Sequence, residues 1–537
     1  MKSQNIIIEG VIDIETIAWT TFLCGGYYDG KHSKFFWHEK DFFNFLVNLQ
    51  GHFYAHNGGK FDLVWLALLC SKYQVHFNPQ MTGSSIRLLQ INKANFHDSY
   101  LLYPLNLGAL GQLTNRIKGE IEYDKIDQLS HSEVEEYLKM DLEILYHGLN
   151  ELRDTVKEVG IDLKYTLGAT SMNAASTVCP LLIRHELTAG QYRFIRKGYY
   201  GGRNEVYKSI FLQSVTSIDR NSSYPAEYRK KFPVGIPRYI TNLRKLETPL
   251  NGVFHCKVNI PESINLKPAP FRTKNGKLFF PTGQFSAIYT TPEIELIQSV
   301  AECQVISGYN YDASDYVLMP FIEKYWKYKN DTRLGRWFKL FLNSLSGKLG
   351  ETNKRELLKY SREKQPGWKS ASYNNLLWTK DIYYLPKNAH PEIAGFINAY
   401  ARQSLFSMLA ESQEICYCDT DSIIAEKPCT RLVGDGLGQW KIDKKGDYFE
   451  CLAPKVYTVG DSPTGATQDV FKRLQAGKSV RTTKVYLLKE TMLNAQKNFT
   501  SGIVERTLHR GKWIGNRIRC GENTLAPSIT QIRKEII

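Results

Sequence analysis

The chain has no long hydrophobic run: its longest, Leu63–Cys70, falls far short of the ~20 residues a membrane span needs. The start, Met1 to Gly10, lacks an extended apolar segment, so no secretory leader is expected. The ten cysteines include no Cys-x-x-Cys pair, which argues against zinc ribbons and disulfide frameworks and for reduced thiols in a cytosol-like compartment. Internal repeats and low-complexity tracts are also missing. With 42% hydrophobic and 23% charged residues, disorder, collagen-like structure and coiled coil are excluded as the main architecture. What remains is a large soluble chain, and 537 residues predict roughly three or four domains at ~150 residues each.

Acidic charge is also in short supply, since 69 Lys and Arg stand against 54 Asp and Glu, a net +15. The excess is local. Between Phe471 and Cys520 there are 12 Lys and Arg but only Glu490 and Glu505, so this window carries +10. Phe499 and Trp513 lie among these cations, a mixture suited to phosphates with some stacking, or simply a solvated basic face. Strands are predicted at Asn5–Ile14, His52–Tyr54 and Cys416–Ala425, and helices at Ser132–Leu149, Met319–Leu345 and Glu392–Ser412. Breaks fall at Gly160, Gly198–Gly202, Pro261–Gly283, Glu351–Asn388 and Gly460–Gly465. The coarse expectation is mixed α/β in several domains.

Two acidic constellations carry the chemistry. In the first, Asp13 and Glu15 lie two apart on a strand, so both carboxylates face one way and repel unless a cation intervenes. Asn57-Gly58-Gly59-Lys60-Phe61-Asp62 follows, its glycines permitting close backbone approach to a ligand. Tyr137 and Asp141 are four apart on a helix and share a face, where a phenol and a carboxylate can orient an attacking water. Four carboxylates and a tyrosine in this order suit a two-metal nuclease. His52 and His56 read as core or surface rather than metal ligands.

Together these residues resemble the DEDDy form of the 3′–5′ exonuclease of proofreading polymerases. Lys118, in Ile117-Lys118-Gly119-Glu120-Ile121, matches the lysine that protein-primed polymerases place there. The resemblance also implies strand contacts by Asn57, Phe61 and Ser99.

In the second constellation, Cys416-Tyr417-Cys418-Asp419-Thr420-Asp421-Ser422 reads as a hairpin tip, and Asp219 in Ile218-Asp219-Arg220-Asn221-Ser222-Ser223-Tyr224-Pro225 is its partner. Hard oxygen ligands with open positions suit Mg²⁺ arriving with a substrate's phosphates. Lys339 and Asn343 share a helix face, with Gly347 four further on and Lys348 beside it, so a cation is offered to a triphosphate.

These three segments resemble motifs A, B and C of family B DNA polymerases. The resemblance implies that Asp219 and Asp421 are metal ligands assisted by Asp419, that Tyr224 lies under the deoxyribose, and that Lys339, Asn343 and Lys348 bind nucleotide. It implies that Lys455 and Tyr457 hold the primer terminus. Arg196 to Gly202 is similar to the Tyr-x-Gly-Gly motif, which places Tyr199, Gly201 and Gly202 on single-stranded DNA. Three residues depart from the usual pattern: Ser223 replaces a leucine, Ser346 replaces a tyrosine near the nascent base pair, and Arg220 is unusual.

The 120 residues from Asp219 to Lys339, and the polar excess from Glu351 to about Leu385, match the TPR1 and TPR2 insertions of protein-primed polymerases. The implied fold is α/β multidomain: an RNase H-like exonuclease, then a right-hand palm, fingers and thumb. The expected boundaries are 1–165 for the exonuclease, 166–205 for a connector, 206–486 for palm and fingers, and 487–537 for the thumb. Within these, TPR1 spans about 236–315, the fingers about 319–350, and TPR2 about 351–385. The implied activity is DNA-directed DNA polymerisation with 3′–5′ proofreading, using two Mg²⁺ (or Mn²⁺) per site. The implied partners are primer-template DNA, dNTPs and a terminal protein primer, with no membrane. A monomer in the host cytoplasm, encoded by a phage or linear plasmid, is expected; an organellar plasmid is the alternative. An exonuclease with a decayed polymerase site, a non-catalytic nucleic-acid scaffold and a self-priming polymerase are the competing readings.

Overall fold

A computed structural model describes residues 5–183, 187–241, 249–352, 354–361, 363–370, 377–485, 501–506 and 512–535. Phe499 and much of the expected thumb lie outside the described residues.

The N-terminal third is built on a seven-stranded mixed sheet. Its order is Ser33–Phe36, Thr21–Tyr28, Gly10–Ile17, Gly51–Ala55, Ala94–Asp98, Ser85–Ile91 and Phe77–Thr82. Gly10–Ile17 and Gly51–Ala55 run parallel at its centre. The predicted strand from Asn5 begins later, at Gly10: Ile6 and Ile8 are buried but belong to no strand. Across one face lies the helix His131–Glu158, started by a capping box between Ser130 and Glu133. Its apolar stripe includes Val134, Leu138, Leu142, Leu145, Leu149, Leu152 and Val156, the spacing of one buried face. The stripe seats against Gly26, where a Cβ would collide with Leu138 and Leu142. That close approach brings the polar members of the stripe, Tyr137 and Asp141, down onto the sheet.

The C-terminal two thirds are organised by a five-stranded antiparallel sheet, ordered Trp440–Gly446, Val215–Arg220, Ser422–Lys427, Gln413–Asp419 and Asn204–Val206. The strand predicted over Cys416–Ala425 is a hairpin whose tip is Thr420-Asp421. The segment between Asp219 and Lys339 contains a second antiparallel sheet, ordered Arg238–Ile240, Glu302–Asn310, Gly252–Ile260 and Gly283–Thr290. The segment after Lys348 forms a three-stranded sheet from Lys354–Tyr360, Leu377–Tyr383 and Lys369–Ser370.

The single helix predicted over Met319–Leu345 is instead broken into Met319–Tyr325, a 3₁₀ turn at Trp326–Asn330, and Gly335–Leu349. The Asp331 carboxylate accepts hydrogen bonds from the backbone N–H of Arg333 (2.8 Å) and Leu334 (2.6 Å), which favours a reversal. Gly335 then lies so close to the Lys329 carbonyl that any Cβ would collide.

The hydrophobic core does not stop between the two halves. One cluster runs from Val11 and Tyr54 through the His131–Glu158 helix to Phe321, Trp337, Phe341 and Phe396. Trp337 is fully buried and its indole N–H donates to the Leu102 carbonyl at 3.1 Å. A second cluster joins the N-terminal sheet to the three-stranded insertion, with Tyr360 stacked on Phe77 at 4.6 Å.

Candidate active sites

The first site lies between the N-terminal sheet and the long helix. Asp13 and Glu15 share the central strand, Asp62 is the first residue of the helix Asp62–Lys72, and Asp141 sits on the helix His131–Glu158. The Ile14 backbone N–H donates to Asp62 Oδ1 at 3.1 Å, tying the strand to the helix start. The carboxyls crowd one another. Burial, then the charge of Asp141, pushes Asp13 up to about 7; burial, then Asp13, Asp141 and Asp62, pushes Glu15 up to about 9. Asp62 and Asp141 are raised too, chiefly by burial.

Lys118 answers part of this charge. Its ammonium is ion-paired with Asp141 and donates to the Tyr137 hydroxyl at 3.0 Å. Tyr137 OH lies 2.6 Å from the hydroxyl of Tyr123, a residue the sequence reading did not single out. Burial, the Tyr123 contact and the Asp141 charge keep Tyr137 a neutral phenol.

Asn57 adopts a left-handed conformation ahead of Phe61, whose ring meets Trp19 edge-on at 5.7 Å. Gly59 owes its size to the protein itself rather than to a ligand, because a Cβ would strike the Ile86 carbonyl. Ser99 is fully buried, 3.0 Å from His56 Nδ1, and donates to the Ala55 carbonyl at 3.2 Å. His52 lies 2.9 Å from His97 in a stack with Tyr165. Both histidines are thus occupied by protein partners.

The second site stands on the five-stranded sheet. Asp219 and Asp419 lie on strands either side of Ser422, each opposite it in register, and so share one face. Asp421 occupies the hairpin tip beside them. Thr420 has φ +57°, a strained conformation held by its N–H donating to the Arg203 carbonyl at 2.6 Å. Burial, Asp219 and Asp419 together push Asp421 up to about 6. Burial also raises Asp219, opposed by the cations Lys441, Lys339 and Lys329. Of these only Lys339 was evident in the sequence. Lys329 and Lys339 also line, with Arg333 and Arg336, a basic cavity of about 380 Å³.

Lys339 is exposed on the helix Gly335–Leu349, and its carbonyl accepts from the Asn343 amide at 2.7 Å. Lys348 looks elsewhere: it pairs with Glu351 at 2.7 Å on the wall of a cavity of about 1170 Å³ that reaches the N-terminal sheet and the insertion. Lys455, with φ +66°, reaches Asp419 at 3.0 Å with its side chain 72% exposed. Its backbone N–H donates to the Tyr417 hydroxyl at 3.1 Å, and Tyr457 packs on the Tyr417 ring at 4.9 Å. Tyr417, given no role of its own in the sequence, therefore ties the Lys455–Tyr457 segment to the acidic hairpin.

The Tyr199–Gly202 segment abuts the same hairpin. A Cβ on Gly202 would collide with Thr420, whereas Gly201 faces open space. The carbonyls of Tyr200 and Gly201 accept from the buried Arg402 at 2.8 and 2.6 Å. Tyr199 carries the Arg196 guanidinium 4.5 Å over its ring.

Part of the basic C-terminal window turns inward. Arg517 is buried and ion-paired with Glu205 at 2.9 Å, and Trp513 meets Phe279 edge-on at 6.0 Å. These two are structural; Lys472, Arg473 and Lys478 remain exposed.

Among the described residues, no three His, Cys, Asp or Glu side chains form a ready-made chelate. The donor sets nonetheless suit divalent ions that keep open positions for substrate. Asp141 Oδ1 is buried without a partner, and both carboxyl sets carry uncompensated repulsion that a cation would relieve.

The family of type B DNA polymerases, organellar and viral, matches residues 118–389. A DNA-directed DNA polymerase of Enterobacteria phage PRD1 is 27% identical over 470 residues, 81% of this chain and 79% of that protein. A probable DNA polymerase of Agaricus bitorquis is 25% identical over 359 residues, 54% of this chain and 45% of that one. Phi29 DNA polymerase complexed with primer-template DNA shares the fold at a TM-score of 0.74 and 18% identity, covering 93% of this chain and 99% of that one.

Proposed function

The chain belongs to the type B DNA polymerases of organelles and viruses, on their protein-primed branch, and from that premise we propose that one polypeptide both extends and proofreads a primer. It is a DNA-directed DNA polymerase with the exonuclease-plus-right-hand fold. The observation that carries the proofreading half is the presence of two separate carboxylate constellations, on two different sheets, each with its own lysine and aromatic partners.

In the polymerase site Asp219 and Asp421 hold the ions, with Asp419 assisting and oriented by Lys455. In the exonuclease site Asp13, Glu15, Asp62 and Asp141 do so. Divalent ions, Mg²⁺ or Mn²⁺ and two per site, would supply stabilisation of the attacking and leaving oxygens of an in-line displacement. Lys339 and Asn343 present a cation and an amide to the incoming triphosphate, Lys348 would join them only by turning away from Glu351, and Tyr224 lies under the sugar. Lys455 and Tyr457 grip the primer end. In the exonuclease, Lys118 and Tyr137 orient the water and offset charge developing on phosphorus. Asn57 and Phe61 meet the strand directly, Ser99 acts by holding His56, and Tyr199, Gly201 and Gly202 guide the strand between sites.

The domain limits we assign are 1–165, 166–205, 206–486 and 487–537, with TPR1 at 236–315, fingers at 319–350 and TPR2 at 351–385. The ligands recorded for the similar Phi29 enzyme, primer-template DNA and incoming nucleotides, are those we assign here. Priming from a terminal protein's hydroxyl, action as a monomer, and replication of a linear phage or plasmid genome in the host cytoplasm complete the reading. Among the described residues, no helix is long and apolar enough to cross a membrane.

The test is a labelled primer annealed to a template with Mg²⁺. Extension with dNTPs, degradation without them, and loss of both in EDTA are expected. Extension without any degradation would remove the exonuclease; degradation without extension would remove the polymerase.

A further inference from the structure

Two of the departures from the usual motif A, Arg220 and Ser223, touch each other. We propose that Arg220 is a positioning residue of the polymerase site. With Ser223, Glu227 and the loop at Gly438 it locks the turn that carries Asp219 and Tyr224, fixing both against Asp421. The proposal rests on the reading of Asp219 as an ion ligand and of Tyr224 as the sugar-sensing ring.

Arg220 ties the two acidic segments together through its backbone, its N–H donating to the Asp421 carbonyl at 2.8 Å. Its side chain turns the other way. One guanidinium nitrogen pairs with the Glu227 carboxylate and lies 3.4 Å from the Ser223 hydroxyl, while Nε donates to the Gly438 carbonyl at 3.0 Å. Glu227 and Ser223 are each 2% exposed, so this is a buried polar network in which every partner must be supplied. A leucine at 223 could not accept that hydrogen bond, which makes the arginine and the serine a matched pair.

The loop is fitted to the same purpose. The Gly438 N–H donates to the Asn221 carbonyl at 2.9 Å, and the Asn221 N–H donates to the Gln439 carbonyl at 2.8 Å. The Asn221 amide reaches the Gly434 carbonyl at 3.1 Å. Gly438 has φ +80°, and a Cβ there would press on Ala226 at 2.8 Å and on the Arg220 guanidinium at 3.3 Å. Between Asp219 and Tyr224, Ser222 is held at φ +49°, a strained conformation that persists only when its surroundings over-determine it. The planar fork of Arg220, reaching two side chains and a carbonyl at once, is the determinant.

The experiment compares single-nucleotide incorporation of dNTP and of the matching rNTP by wild type, Arg220→Ala, Arg220→Lys, Glu227→Gln and Tyr224→Ala. Melting temperature, primer-template affinity and the Mg²⁺ concentration for half-maximal rate are read alongside. A catalytic group displaced by about 1 Å costs roughly 100-fold, so Arg220→Ala should lower kcat for dNTP by about that factor. Its half-saturating Mg²⁺ should rise, and its preference for dNTP over rNTP should fall. Arg220→Lys and Glu227→Gln, which keep the fold intact if the alanine variant does not, should move the same quantities part of the way. Equal losses for dNTP and rNTP with unchanged Mg²⁺ demand, or losses that merely track melting temperature, would overturn the proposal. If Tyr224→Ala leaves sugar preference intact, the assignment of Tyr224 fails instead, and the Mg²⁺ demand of the Arg220 variants then decides the hold on Asp219.

Discussion

The two carboxylate sites gather the same kinds of side chain in opposite surroundings. In the N-terminal site four carboxyls from three elements are pressed between a sheet and a helix, with Glu15, Asp62 and Asp141 buried and Lys118 laid directly on Asp141. In the C-terminal site Asp219, Asp419 and Asp421 stand half-exposed on an open sheet, and among the described residues only Lys455 forms an ion pair with one of them. Low dielectric makes the first site electrostatically tense, with Glu15 pushed up to about 9, while the second reaches only about 6 at Asp421. A site proposed to take one frayed nucleotide can be tight. One that must admit a template base pair and a triphosphate has to stay open.

The comparison breaks first if the sites are not independent. Asp421→Ala should abolish extension by about 1000-fold, the kinetic equivalent of several kcal/mol of lost ion-borne stabilisation, while degradation persists. Asp13→Ala should do the reverse. A primer-extension gel with and without dNTPs reads both, and loss of both activities in either variant would merge the sites into one. Next, Lys118→Ala should slow degradation by about 100-fold, the cost of one preorganised charge at a reacting phosphate, and leave extension alone. An equal loss of extension would show that Lys118 supports the fold rather than the chemistry.

The difference in tension is itself measurable. Asp13 and Glu15 are raised in the fold, so their neutral forms are favoured and the stability they contribute is present in acid and lost as pH rises. In EDTA, melting temperature should fall as pH climbs from the ordinary carboxylate range, the Asp13 share being complete by about 7 and the Glu15 share by about 9, whereas the Asp421 share is complete by about 6. Mg²⁺ should flatten the slope, and Asp13→Asn should remove part of it. An unchanged slope in that variant would place the tension elsewhere. The smallest effect is at the open site: Lys455 is largely exposed, so Lys455→Ala should cost extension only about two- to fivefold, in the range of a surface ion pair.

How much of this could be read from the sequence follows from how local each signal is. Asp13, Glu15 and the Asp419-Thr420-Asp421 pair were visible because carboxylates rarely end apolar strands. Tyr137 and Asp141 interrupt an otherwise apolar helical stripe. The roles of Tyr123, Lys329, Lys441 and Tyr417 were not visible, because only the folded chain brings them to their partners. Arg517 was misread with its basic neighbours, since its partner Glu205 lies 312 residues away. The break after Tyr325 likewise depends on one carboxylate and one glycine, too slight to interrupt the apolar pattern. The expected domain limits came from the family resemblance, and the core runs across the first of them.

That continuous core has a consequence for rebuilding the molecule. Trp337 hangs from the Leu102 carbonyl, and Tyr360 stacks on Phe77. A chimaera grafting a foreign exonuclease at residue 165 would strip both aromatics of their seats. The units of exchange are therefore not the stretches between motifs. A workable graft takes the N-terminal third together with the buried face of Gly335–Leu349 and the strand Lys354–Tyr360.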